Sequence, residues 1–321
     1  MYDVITVGSS TVDAFAETDK KFLKKGKFCF DIGSKILIKD LIFEVGGGGT
    51  NSAVALSRLG LKVAYLGKLG RGENSKRILN LLKEEKIDTS LVSRENARTG
   101  FSVILDAKGK DRTILTYKGS NEDLAINDLR FEYLNTSWFY FASMTGKSFE
   151  TQKKLAEYAQ EKGIRIAYNP SSYITEKGIA YLKPIINKTE LLIMNNEEAA
   201  MLSKTKDIKK TLKFLHSQGP RIVVITNGAK DVSIYNGESM FVVKPHKIKV
   251  VETTGAGDAF ASSFLAGIIK TEDIEFSIQL ALVNSESIIT HYGAKKNLLK
   301  MGEAIRNIKK NPGRIKVTKL K

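Results

Sequence analysis

The stretch Glu252-Thr253-Thr254-Gly255-Ala256-Gly257-Asp258 runs directly into a small and apolar segment, residues 259–269, and its reading decides that of the whole chain. Two glycines flanking an alanine let the backbone turn tightly and approach a ligand, and the run after them has the length and composition of a buried helix. A helix start leaves amide hydrogens without partners and carries about half a positive charge, so Gly255, Ala256 and Gly257 are placed to cradle an anion, above all a phosphate in transfer. Asp258 would repel that phosphate, but it is well placed to take the proton from a hydroxyl attacking it. The helix dipole should lower its pKa. The plainer reading of the same residues is a strand-to-helix turn in which Asp258 caps the helix.

Two common phosphate loops are excluded. Phe260 occupies the third glycine position of a dinucleotide fingerprint. Gly146-Lys147-Ser148 has the ending of a Walker A loop, but Phe141 stands where its first glycine must be.

At 321 residues with 42% hydrophobic content, the chain can bury a substantial core. No window approaches the roughly 18 uninterrupted apolar residues of a membrane span, and Met1-Tyr2-Asp3-Val4 begins a strand rather than a signal peptide. A cytoplasmic location is expected. The single Cys29 allows no internal disulfide, and His216, His246 and His291 form no metal cluster, so any metal is held by oxygen. The net charge of +16 would attract polyanions and is concentrated toward residues 295–321, where Lys295, Lys296, Lys300, Arg306, Lys309 and Lys310 precede further lysines. That segment lacks the interleaved aromatics of a nucleic-acid surface and reads as solvated lysine-rich helix faces, so no specific nucleic-acid partner is expected.

Residues 2–8 read as a strand, and Ser9-Ser10-Thr11-Val12-Asp13 as the polar loop leaving its C-terminal end, where open parallel sheets place ligands. Asp13 could bind substrate hydroxyls there or serve as a turn residue. Between residues 15 and 45 short β-like pieces, including Lys35-Ile36-Leu37-Ile38, suggest a separate small sheet. Gly46-Gly47-Gly48-Gly49-Thr50-Asn51 then heads a helix over 52–59; four glycines suggest a close backbone approach with a ligand contact by Asn51, and the plainer reading is a flexible turn. A hairpin around Lys108-Gly109-Lys110 completes the small sheet, giving a lid from about 15–45 and 100–118 inserted in one domain spanning 1–321. Elsewhere strands and helices alternate in the rhythm of a doubly wound, mainly parallel α/β sheet flanked by helices. At two strand ends stand Asn195-Asn196-Glu197-Glu198 and Thr226-Asn227-Gly228. Asn195 and Glu198 could hold a hydrated Mg²⁺ or simply cap a helix, and a nucleotide could lie across both ends.

Taken together, these residues resemble the ribokinase-like, or PfkB, family of sugar and nucleoside kinases over nearly the whole chain. Thr253-Thr254-Gly255-Ala256-Gly257-Asp258 is similar to its C-terminal signature, and Gly46-Gly47 with Thr50-Asn51 to its N-terminal one. The resemblance implies ATP and Mg²⁺, Asp258 as catalytic base and Gly255, Ala256 and Gly257 as anion hole. It places Asn195 and Glu198 around metal and phosphate, and Asp13, Gly47, Gly48 and Asn51 on substrate hydroxyls. Thr226, Gly228, Thr254 and Asn284 would line the nucleotide site. In several members a nearby loop holds a monovalent cation; Glu252 replaces the usual Asp there, which counts against such a site. Arg71 stands where the family often carries acidic residues. Ser143-Met144-Thr145 replaces the substrate-binding acid of ribose kinases, which weakens ribose as acceptor.

The expected activity is phosphorylation of a small sugar. A nucleoside kinase would need an aromatic slot, for which Phe28, Phe43, Phe101 and Tyr117 are candidates, and a polyanion-binding protein on a kinase-like scaffold is the reading from another class. An exposed lid edge could pair two copies into a homodimer.

Overall fold

Periodicity of two with both faces apolar makes a strand that must be covered on both sides, and Tyr2–Val7 and Thr136–Ala142 have it. Val4, Trp138 and Tyr140 point into one core, with the helices Gly48–Arg58, Ala256–Thr271 and Ile274–Ile288. Ile5, Val7, Phe139 and Phe141 point into the other, with Gly146–Lys162 and Ile208–Ser217. The computed structural model describes residues 1–106, 112–291 and 293–319.

Among the described residues, the sheet between these cores has nine strands. Six run parallel in the spatial order Val63–Leu66, Tyr2–Val7, Thr136–Ala142, Arg165–Asn169, Leu191–Asn195, Ile222–Thr226. Val232–Tyr235, Ser239–Val243 and Ile315–Lys319 then add antiparallel. The doubly wound, mainly parallel α/β expectation is therefore met. Part of the basic C-terminal segment is not a helix face: Ile315–Lys319 is an edge strand, its alternation obscured in the sequence by Lys316 and Lys319, which fall on opposite faces.

A second sheet has, among the described residues, four strands in the order Thr113–Tyr117, Gly100–Asp106, Thr11–Glu17, Asp40–Gly46. Three expectations change here. Thr11, Val12 and Asp13 are not loop but the start of a strand, paired with Gly100 to Ser102 on one side and Gly46 to Glu44 on the other. Lys35-Ile36-Leu37-Ile38 forms no strand, and Leu37 is 90% exposed; an apolar run without a neighbouring strand has nothing to pair with. The hairpin is formed by Gly100–Asp106 and Thr113–Tyr117, with Thr113 opposite Leu105, while the turn expected at Lys108-Gly109-Lys110 lies outside the described residues.

Close approach of backbones fixes the junction between the sheets. Gly49, in the first turn of Gly48–Arg58, lies so near the end of the strand Tyr2–Val7 that a Cβ on it would meet the Gly8 carbonyl carbon at 2.7 Å. Backbone cannot yield as a side-chain tip can, so Gly49→Ala should destabilise the fold by about 1–3 kcal/mol. A urea unfolding midpoint unchanged from the wild type would contradict this packing.

Candidate active site

The helix Ala256–Thr271 begins earlier than its apolar run suggests, and Gly255 is its N-cap at φ 80°, a left-handed conformation suited to glycine. A Cβ there would also strike Ala294 at 2.6 Å. Asp258 is thus the third helical residue, and its carboxylate does not cap the helix. It accepts a hydrogen bond from Asn51 Nδ2 at 2.7 Å across 207 residues of sequence. Asn51 sits in the first turn of the other glycine helix, whose N-cap is Gly47, and a Cβ at Gly48 would lie 3.5 Å from Asp258 Oδ1. Both glycine loops therefore converge on one carboxylate.

Of the expected anion-hole amides, one is already used: Ala256 N–H donates to the Thr253 carbonyl at 3.2 Å. The first-turn donors that remain for an anion are those of Gly257 and Asp258. Both residues border a cleft of about 510 Å³ whose other walls include Gly48, Asn195, Glu198 and Thr226. Gly257 has open space where a Cβ would be.

Asp258 departs from the dipole expectation. Burial raises its pKa, opposed by the Asn51 hydrogen bond and the Lys295 charge. Desolvation is the largest of these effects. Lys295 itself was hidden among neighbouring lysines and read as solvated; it is 7% exposed. Its ammonium donates to the Val45 carbonyl and to Asn51 Oδ1. Burial brings its pKa down to about 8, against the pull of Asp13, Asp258 and Glu44. Asp13 is also buried, accepts from Thr11 Oγ1 at 2.8 Å, and lies against Gly46.

Asn195 and Glu198 form the capping box of Asn196–Ser203: Glu198 N–H donates to Asn195 Oδ1 at 2.8 Å, and Asn195 N–H to Glu198 Oε2 at 3.0 Å. Both nevertheless line the cleft. Burial pushes the Glu198 pKa up to about 7, and among the described residues no salt bridge to it is found. A buried carboxyl without a cationic partner, open to a cleft, suits a hard cation that keeps its own water and phosphate ligands. No group of three or more His, Cys, Asp or Glu that could hold a metal occurs among the described residues.

Three expected nucleotide contacts lie apart from the cleft walls. Asn284 is fully buried, donating to Ser263 Oγ at 2.7 Å and accepting from Leu299 N–H at 2.9 Å, so its amide is spent on helix packing. Thr254 donates its hydroxyl to Glu252. Gly228 occupies a turn at φ 55° beyond Thr226. Glu252 is engaged as well, with Gly293 N–H at 3.0 Å and Arg112 Nη1 at 3.1 Å. Arg112 and Lys118, flanking the strand Thr113–Tyr117, are cleft cations that no sequence motif marked; Lys118 stacks over the Tyr173 ring at 4.6 Å.

The model described as pfkB family carbohydrate kinase matches residues 1–301. An uncharacterized sugar kinase of Archaeoglobus fulgidus is 30% identical over 252 residues, covering 76% of this chain and 98% of that one. A nucleoside kinase of Methanocaldococcus jannaschii superposes with a TM-score of 0.83 at 22% identity, over 96% of this chain and 99% of the other. A putative ribokinase II of E. coli, in complex with ATP and Mg²⁺, gives 0.85 at 16% identity, over 97% and 100%.

Glu198 yields a stability test. Its folded pKa of about 7 exceeds the ordinary 4.5, so the folded chain binds this proton more tightly than the unfolded one. The associated stability is complete below about pH 4.5 and lost as pH rises through about 7. Glu198→Gln, which preserves the cap, should raise Tm at pH 8 more than at pH 5; equal shifts at both would refute the buried-carboxyl account.

Proposed function

Because the chain belongs to the pfkB family of carbohydrate kinases, we propose that it transfers the terminal phosphoryl group of ATP to a hydroxyl of a small sugar, with Asp258 as general base. The observation that carries this reading is the Asn51–Asp258 hydrogen bond, which joins the two glycine loops at one carboxylate beside a helix N-terminus.

Phosphoryl transfer asks a protein for positioning and charge neutralisation more than for covalent help. The acceptor hydroxyl lies against Asp258, and Asp13 and Asn51 hold its neighbouring hydroxyls. Asp258 accepts the hydroxyl proton as the oxygen bonds to phosphorus, and its raised pKa makes it a better acceptor than an exposed aspartate. The Gly257 and Asp258 amides, with Arg112 and Lys118, take the charge of the transferring group. Mg²⁺, when bound, neutralises phosphate oxygens, and Glu198 with Asn195 is the oxygen donor set that would hold it. Glu252 is committed to Arg112, Thr254 and Gly293, which leaves it little capacity for a monovalent cation. The smaller sheet is read as a lid within one domain spanning residues 1–321, excluding water during transfer.

Which face of that sheet meets the acceptor bears on its chemistry. Residues directly opposite on neighbouring strands share a face, so Asp13 shares its face with Glu44, Ser102 and Thr116. Hydroxyls and carboxylates there favour a polyol. Phe101, Tyr117 and Phe43 fall on the other face, with Val12 and Ala14, and Phe28 packs on Phe30 at 6.3 Å in a peripheral ribbon. None of these four forms the base slot that a nucleoside acceptor would need on Asp13's face. The nucleoside reading keeps one support, the apolar strip Phe15, Ile42, Ile104 and Ile114 farther out on Asp13's face.

Toward the sheet edge the face opposite Asp13 also exposes Leu115 at 57% and Tyr117 at 54%, a patch suited to pairing with a second copy. Leu115→Glu should convert a dimer to a monomer in sedimentation velocity; a wild-type chain already monomeric at micromolar concentration would end that part of the proposal.

Asp258→Asn should lower kcat by about 10²–10⁴-fold while leaving ATP binding nearly intact. Turnover at the wild-type rate would remove Asp258 from the mechanism. A panel of sugars and nucleosides, assayed with ATP held constant, should give its highest kcat/KM with a sugar; a nucleoside in that place would overturn the polyol reading.

A further inference from the structure

We propose that Lys295 is a positioning residue of the transfer site, whose buried ammonium fixes the Asn51 side chain so that its NH₂ meets one Asp258 oxygen and leaves the other for the acceptor. This rests on Asp258 being the base. It goes beyond that reading in assigning work to a residue outside both glycine loops.

The argument begins with donor and acceptor types. An ammonium only donates, a carboxylate only accepts, and an amide does each at a different atom. Between Lys295 and Asp258 the Asn51 amide therefore has one satisfying orientation, oxygen toward Lys295 and nitrogen toward Asp258, and the contacts have that sense. Turned over, the amide would set NH₂ against NH₃⁺ and a carbonyl against a carboxylate. Without the lysine, the carbonyl end loses the donor that holds it, and only the Asp258 bond still selects the sense of the amide. The second contact of Lys295, to the Val45 carbonyl, brings the strand Asp40–Gly46 of the smaller sheet into the same arrangement.

The lysine is itself held in place. Its carbonyl and that of Leu298 accept from Arg58 Nη1 at 2.8 and 3.3 Å, and Arg58 is anchored by Glu85 through Nη2 at 2.5 Å and Nε at 3.0 Å. The charged groups facing it are Asp13 from Thr11–Glu17, Glu44 from Asp40–Gly46, Asp258 from Ala256–Thr271 and Arg58 from Gly48–Arg58. Three carboxylates thus surround one buried ammonium, while the Arg58 charge is matched by Glu85. Loss of Lys295 would both free the amide and leave those carboxylates to raise one another's proton affinity.

Lys295→Met keeps length and apolar packing while removing donor and charge. Misplacement of a base by about 1 Å costs on the order of 10²-fold, so kcat should fall by about 10–100-fold with KM for ATP changed less than about twofold. The acid limb of the kcat–pH profile should move to higher pH, because a carboxylate loses its neighbouring cation. Lys295→Gln keeps an N–H donor without charge, and should show the same movement of the limb with a smaller fall in kcat. In a double-mutant cycle, adding Lys295→Met to Asn51→Ala should cost far less than it does in the wild type. The proposal is overturned if a folded Lys295→Met enzyme keeps kcat and its acid limb, or if the two losses simply multiply. Should the Met variant not fold, an unmoved acid limb in Lys295→Gln overturns it equally. Asp258→Asn is the control: full turnover there defeats the base reading itself, whereas loss there with an unaltered Lys295→Met defeats only this inference.

Discussion

A carboxylate withdrawn from water must be compensated by donors, and the hydrogen bond from Asn51 to Asp258 is the compensation on which the geometry of this molecule turns. To make it, two helix starts more than 200 residues apart in sequence have to open on one point. The parallel sheet supplies that point, since its strands deliver their C-terminal ends to a common edge. The helices Gly48–Arg58 and Ala256–Thr271 pack in the same core and so hold their first turns in register with each other.

The electrostatics divide the site into two halves. Near one end Asp13, Glu44 and Asp258 surround the buried Lys295. Gly257 and Asp258 of the helix start line the cleft together with Arg112 and Lys118. Under the proposed function an uncharged, hydroxyl-rich acceptor meets the first half and a polyanion the second. The net charge of +16, which by itself suggests polyanion binding everywhere, has little bearing on this division. Most of that charge is solvated, while Lys295 is shielded from water.

Much of this was legible in the sequence because it rests on local rules. Gly255 through Asp258, the four glycines before Thr50, and the alternation of strands and helices each carry a backbone requirement that only certain residues meet. What escaped depends on pairing at a distance. Asp13 looks like a loop residue until Glu44 and Ser102 flank it. Lys295 is indistinguishable from Lys296 until burial separates them. Asn284 carries the composition of a ligand contact, yet Ser263 and Leu299 claim both ends of its amide. Phe43, Phe101 and Tyr117, candidates for a base slot, fall on the face opposite Asp13, a parity that no single strand reveals, since a shift of one residue moves a side chain to the other face.

The strand Tyr2–Val7 lies between Val63–Leu66 and Thr136–Ala142, in the interior of the large sheet. Its backbone groups are paired on both sides only after well over a hundred further residues have arrived. Such separations impose a loop-closure cost before any contact repays it, and they slow assembly. During synthesis one side of this strand stays unpaired for much of the time, an apolar edge that invites association with other chains, and its protection in the interval falls to whatever holds nascent chains apart.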